Sequence, residues 1–155
     1  RLQLNHQSAK EYLINSQNSE HRFELVDVHN GITYINDSKS TNFNSVSMAT
    51  TKINNGILIM HGLTKNIDPK DLHISNEIKK IILPKDMKVE LNNTTAEVIK
   101  LDSIFDLEEK LDKNLHSGDT VLFSCGGASF NDFRNYEERG NFFKSVVSNI
   151  KVKNG

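Results

Sequence analysis

The 155-residue chain has one cysteine, two prolines and no tryptophan. A single thiol, Cys125, excludes a disulfide within the chain. Without a disulfide framework, the simplest setting is reducing and cytoplasmic. Charge of neither sign dominates: Lys+Arg number 19 and Asp+Glu 20. A nucleic-acid binder carries a basic excess or stripe, so no nucleic-acid partner is expected. No apolar run is long enough to cross a bilayer, and no charged-then-apolar start resembles a secretory signal, so no membrane partner is expected. The six histidines form no H-E-x-x-H pattern and no Cys/His set, so no metal ligands are assigned. A G-x-S-x-G elbow is missing too. Cys125 has no identifiable histidine partner, which counts against a cysteine nucleophile. No G-x-x-x-x-G-K-[ST] phosphate loop occurs, and the chain begins at Arg1 rather than Met. Both points lead us to expect a piece of a longer protein.

What is present suffices for one domain: 36% of residues are hydrophobic and 25% charged. Residues 1–20 are polar and read as a linker or a short helix around Ala9, Tyr12 and Leu13. Phe23, Leu25 and Val28 alternate like a strand, and Asn30-Gly31 signals a hairpin into a return strand at Ile32, Tyr34 and Ile35. Val46, Ala49 and Ile53 then recur at helical spacing until Asn54-Asn55-Gly56 stops the helix. Ile57-Leu58-Ile59-Met60 is a short continuous apolar run, suited to a strand covered on both faces. A short helix near 70–77, a strand at Lys80–Leu83 ended by Pro84, and a short strand at Glu97–Leu101 follow. The stretch 85–95 has room for a strand stub and a turn. Ser103 and Asp106 have capping-box spacing ahead of Ile104, Leu107, Leu111 and Leu115. Thr120–Phe123 reads as a buried strand, and Tyr136, Gly140, Phe143, Val147 and Ile150 share one face of a last helix. This alternation predicts an α/β domain with a mostly parallel sheet, helices on its faces and an antiparallel N-terminal strand.

Ligands of such sheets bind beyond the carboxyl ends of the strands. Three loops, 36–42, 61–68 and 124–130, leave such ends and should share one rim. In the first, Lys39 stands among Ser38, Ser40 and Thr41, and Thr41 or Asn42 can cap the following helix. That helix start favours an anion, although a capped helix with an exposed Asp37–Lys39 pair explains the same residues. The second loop adds Lys65, which is either a ligand or a solvated lysine, and His61 at its strand end. In the third, Gly126 and Gly127 allow close approach to a ligand or simply a tight turn, and Ser129 stands near a helix start. Gly140 within a helical pattern suggests close packing or a nearby ligand, and Arg139 beside it either reaches a carboxylate or is solvated.

Four segments together resemble the C-terminal domain of the Mur ligases, in the branch that adds D-glutamate. His21-Arg22-Phe23-Glu24 is similar to the family's HR-x-E entry segment, and Tyr34–Asn42 to its INDSKATN motif. Lys65 and Asp68 match the lysine and second aspartate of its G-G-x-x-K-x-x-D loop. Ser129–Gly140 is similar to its A-S-x-D-x-F-[KR]-N-[FY]-x-x-R-G signature. Order and spacing agree over residues 21–148.

The resemblance implies a Rossmann-like domain over 21–155. The UDP-sugar-binding and central ATP-binding domains would lie outside this chain. It implies an ATP-dependent amide ligase of peptidoglycan-precursor synthesis, inactive as this piece alone. Such an enzyme joins D-glutamate to UDP-N-acetylmuramoyl-L-alanine through an acyl phosphate. ATP and magnesium would be held mainly by the central domain. By position, Lys39, Thr41, Lys65, Ser129 and Tyr136 would hold the D-glutamate carboxylates, with Phe130 at the pocket's edge. Arg22 and Asp37 would face the nucleotide, and no residue is assigned a catalytic role. The chain departs from the family pattern at His61, Leu63, Cys125-Gly126-Gly127 and Asn131, and in a compressed 84–97 region. Alternative readings are a related Mur or folylpolyglutamate-type ligase domain with another amino acid, and a non-catalytic ligand-binding module.

Overall fold

The computed structural model describes residues 19–155; the linker or helix expected for the N-terminal stretch falls mostly outside them. Six strands form one sheet in the order β1-β2-β6-β3-β4-β5. They are β1 (Glu24–His29), β2 (Ile32–Asp37), β3 (Gly56–His61), β4 (Ile78–Pro84), β5 (Glu97–Leu101) and β6 (Thr120–Gly126). Only β1 and β2 are antiparallel; every other neighbouring pair is parallel. The hairpin turn is the one expected from Asn30-Gly31, whose φ angles are 53° and 75°. Both values match the two-residue turn that suits twisted strands.

Helices cover both faces, which is why residues 57–60 of β3 and 121–123 of β6 are continuous apolar runs. On β3, Ile57 and Ile59 face one core while Leu58 and Met60 face the other. Helix α1 (Phe43–Thr50) covers the second face with Phe43, Val46 and Ala49. Helices α2 (Leu107–Asp112) and α3 (Tyr136–Lys153) cover the first. There Phe143 of α3 stacks flat on Phe123 of β6, with ring centroids 4.6 Å apart. Each large apolar side chain fully buried in these layers contributes roughly 1.5–3 kcal/mol.

Local signals set the helix ends. Asn42, rather than Thr41, caps α1 by accepting from the Ser45 N–H at 2.9 Å. The chain leaves that helix through Asn55, whose φ is 50°, so asparagine and not Gly56 supplies the left-handed residue. Ser103 and Asp106 form the expected capping box, first on a 3-10 turn (Ile104–Asp106) and then into α2. Asn135 caps α3, with Glu137 and Glu138 in its first turn and Lys151 and Lys153 in its last.

Two expectations need correction. No helix spans 70–77; only Pro69–Asp71 makes a 3-10 turn. The following backbone bonds to α1 side chains instead: the His73 N–H donates to Ser47 Oγ and the Ser75 N–H to Thr50 Oγ1. Nor does 85–95 contain a strand; it runs as irregular chain with Met87 buried. Among the described residues no helix is long and apolar enough to cross a membrane.

Candidate functional site

β6 lies between β2 and β3 although it follows both in sequence. The loops leaving the carboxyl ends of these three adjacent strands therefore meet at one rim. They are tied to one another by backbone bonds. The Gly126 N–H donates to the Ser40 carbonyl at 2.8 Å, and Leu63 and Ala128 exchange N–H···O bonds of 2.8 and 2.9 Å. The glycines exist for this contact. A Cβ on Gly62 would stand 2.5 Å from the Ala128 oxygen, and one on Gly127 would stand 2.7 Å from the Gly62 carbonyl carbon. Their close approach is thus loop to loop, not loop to ligand. Gly126, at φ 85°, is required by the turn itself.

The residue that organises the rim is one for which the sequence suggested reach to a carboxylate or, as for most helix arginines, solvation. Arg139 is fully buried. Its Nη1 donates to the Gly127 and His61 carbonyls at 2.8 and 3.2 Å, and its Nη2 to the Ser38 carbonyl at 2.7 Å. Its Nε donates to Ser38 Oγ at 3.0 Å. One guanidinium thereby holds all three loops. Its position one residue before a helical glycine was the only signal in the sequence.

Asp37 is turned inward, not toward Lys39. Its carboxylate accepts from the Phe23 N–H at 2.9 Å, from Ser124 Oγ at 2.7 Å and from Ser40 Oγ. Burial pushes its pKa up, while those three donors and the Lys52 charge pull it down. The physical reason for the correction is that three nearby donors replace the water an exposed carboxylate would need.

The entry segment is clasped to the same loop. The Lys39 N–H donates to the His21 carbonyl at 2.9 Å, and Asn36 Nδ2 donates to His21 Nδ1 at 2.9 Å and Glu24 Oε1 at 3.1 Å. Arg22 is exposed. Gly140 answers the question its helical position raised. A Cβ there would lie 2.1 Å from His21 Nδ1, so the glycine makes room for a packed histidine and not for a ligand. Gly140→Ala is expected to lower stability by a net ~1–2 kcal/mol, the overpacking exceeding the helix-propensity gain. Urea denaturation measures this, and adding His21→Ala should recover part of the loss. A single variant as stable as the parent would mean that the histidine moves freely.

The groups expected to meet a ligand differ in exposure. Lys39 is half-buried, with its ammonium 5.6 Å from the centre of the Tyr136 ring and no ion-pair partner among the described residues. Thr41 and Lys65 are exposed, and Phe130 is 69% exposed. Ser129 begins a 3-10 turn (Ser129–Asn131); it is 1% exposed, and its hydroxyl has no hydrogen-bond partner. A buried hydroxyl left unpaired is uncommon and costs stability. Cys125 is no nucleophile: it is fully buried, and burial pushes its thiol up to about 12. No three His, Cys, Asp or Glu side chains among the described residues gather to hold a metal ion.

No family model matches the chain. It is 34% identical to a UDP-N-acetylmuramoylalanine–D-glutamate ligase of Thermosipho africanus over 148 residues, covering 91% of this chain and 34% of the relative. The enzyme of the same name from Pseudothermotoga lettingae is 36% identical over 146 residues, covering 86% and 33%. The chain thus spans about a third of the length of the curated relatives it matches. Among solved structures, it is similar to a domain of a Haemophilus ducreyi protein named as a UDP-N-acetylmuramate:L-alanyl-γ-D-glutamyl-meso-diaminopimelate ligase. That likeness has a TM-score of 0.56 at 15% identity and covers 83% of this chain and 99% of the other. The MurF ligase of Thermotoga maritima, solved with ADP, matches with a TM-score of 0.54 at 13% identity, covering 85% and 32%. The solved structures share the Rossmann-like fold, the curated relatives share the sequence, and the chain belongs to the Mur ligases as a C-terminal domain of the D-glutamate-ligase type.

Proposed function

We propose that this chain is the acceptor-binding domain of an ATP-dependent ligase that adds D-glutamate to UDP-N-acetylmuramoyl-L-alanine. The single observation that carries this reading is the cross-tied rim. It places Lys39, Thr41, Lys65 and the unpaired Ser129 hydroxyl on loops bound to one another. A doubly acidic amino acid needs two sets of donors, and charge-assisted hydrogen bonds are the strong ones. Lys39, held over the Tyr136 ring, takes one carboxylate together with Thr41. Ser129 and Lys65 take the other, and Phe130 shields the edge. Asp37 keeps the first loop in shape from beneath, and exposed Arg22 is left to face the nucleotide.

The rest of the protein supplies the sites for the UDP-sugar, ATP and magnesium. ATP supplies the phosphoryl group that activates the substrate carboxylate as an acyl phosphate. The D-glutamate nitrogen then attacks that carbonyl carbon, the C–O bond to phosphate breaks, and the amine loses a proton. This chain's part is to orient the amine and neutralise both acceptor carboxylates. The reaction takes place in the cytoplasm, where nucleotide-linked precursors and ATP are available.

Two measurements test this. D-Glutamate titrated into the chain should shift the amide signals of residues 36–42 and 124–130, whereas L-alanine should not. The full-length protein should release ADP with D-glutamate but not with L-lysine or meso-diaminopimelate, and this chain alone should release none. Equal turnover with another amino acid would assign the domain to a different branch.

A further inference from the structure

His61 ends β3 at the centre of the rim and is fully buried. Its two ring nitrogens bond in opposite directions. Nδ1 lies 3.3 Å from Arg139 Nη1, and Nε2 lies 2.8 Å from Asp132 Oδ2. A guanidinium only donates, so Nδ1 is the acceptor and Nε2 carries the proton that bonds Asp132. Burial, the largest influence, and the Arg139 charge lower its pKa, against the pull of Asp132. The imidazole also meets Phe133 edge-on, with centroids 5.4 Å apart.

Asp132 and Phe133 are the two residues whose N–H groups close the turn, donating to the Ser129 carbonyl at 3.1 and 2.9 Å. One imidazole thus grips both closing residues and ties them to Arg139 and the central sheet. We propose that His61 and Asp132 form a latch that sets the position of the Ser129 hydroxyl and the Phe130 ring, making both positioning residues for acceptor binding. The assignment of the acceptor rests on the D-glutamate reading; the latch itself does not. Asp132 lies at the surface, with a side chain 32% exposed, so it can be altered without opening the core.

The test uses Asp132→Ala and Asp132→Asn in the full-length protein and in this chain. In the full-length enzyme, Asp132→Ala should raise the acceptor KM about tenfold with kcat little changed, the size of one charge-assisted bond. Asp132→Asn keeps an oxygen that accepts from Nε2–H and should restore most of the affinity. The direction is diagnostic. Merely removing a negative charge near an acidic substrate would lower KM, whereas losing the latch raises it. In this chain, Asp132→Ala should speed amide hydrogen exchange at residues 132 and 133 about tenfold, and the 15N signal of His61 Nε2 should shift as its hydrogen bond to the carboxylate is lost. Unchanged exchange and an unchanged His61 Nε2 signal in Asp132→Ala would overturn the latch. So would a lowered or unchanged KM in an enzyme that uses D-glutamate. If the parent enzyme does not use D-glutamate, the acceptor reading fails instead, and the exchange and Nε2 measurements still decide the latch.

Discussion

Arg139→Ala is expected to destabilise the fold by at least ~3 kcal/mol, because it strands the carbonyls of Ser38, His61 and Gly127 in a dry interior. Each buried acceptor left unpaired costs about 1–3 kcal/mol, and typical domains have only about 5–15 kcal/mol in total. The guanidinium is buried with no carboxylate partner among the described residues, so backbone oxygens and the Ser38 hydroxyl compensate its desolvation. Arg139→Lys should rescue little. One ammonium cannot span three loops as a planar fork does. Arg139→Met is the informative control, since it keeps volume and removes every donor. Its urea midpoint should fall nearly as far as that of the alanine variant. A methionine variant as stable as the parent would show that these hydrogen bonds contribute nothing net.

Lys39→Ala should have the opposite profile: an intact fold and a large loss of function. The side chain is half-buried, its ammonium lies over the Tyr136 ring, and it has no ion-pair partner among the described residues. Stability should therefore change by no more than ~0.5 kcal/mol. A charge-assisted hydrogen bond to a carboxylate is worth about 1.5–3 kcal/mol, so kcat/KM for the acceptor in the full-length enzyme should drop about 10- to 100-fold. Tyr136→Phe keeps the ring face and should retain most activity, whereas Tyr136→Leu should not. Steady-state kinetics with acceptor varied at saturating ATP measures all three. A folded Lys39→Ala enzyme with full activity would remove Lys39 from the acceptor site.

The two sets of residues differ in how visible they are in a sequence. Lys39, Thr41 and Ser129 lie in loops after apolar runs, so strand ends and loop positions place them on a common rim. Arg139 and Asp37 look like any charged residues, and apart from Gly140 beside Arg139 nothing in their neighbours says that they point inward. Their burial depends on donors and acceptors distant in the chain: Ser124 for Asp37, and Ser38 and His61 for Arg139. Gly127 misleads in the same way, because the atoms that forbid a Cβ there belong to Gly62 and Leu63 of another loop. Helix 70–77 failed for a related reason. Ser47 and Thr50 of α1 offer that backbone partners which a local reading cannot see.

By itself the sequence determined the periodicities that build a doubly covered sheet, the turn and cap residues that end its elements, and the motifs that mark a Mur ligase. These are local properties, because dihedral preference and hydrophobic spacing act over a few residues. Only the tertiary structure decided that β6 enters between β2 and β3, that one buried guanidinium holds three loops, and that Asp37 faces inward. Desolvating a charge or a carbonyl is tolerated only when partners from remote segments arrive together, and that meeting is a property of the folded chain.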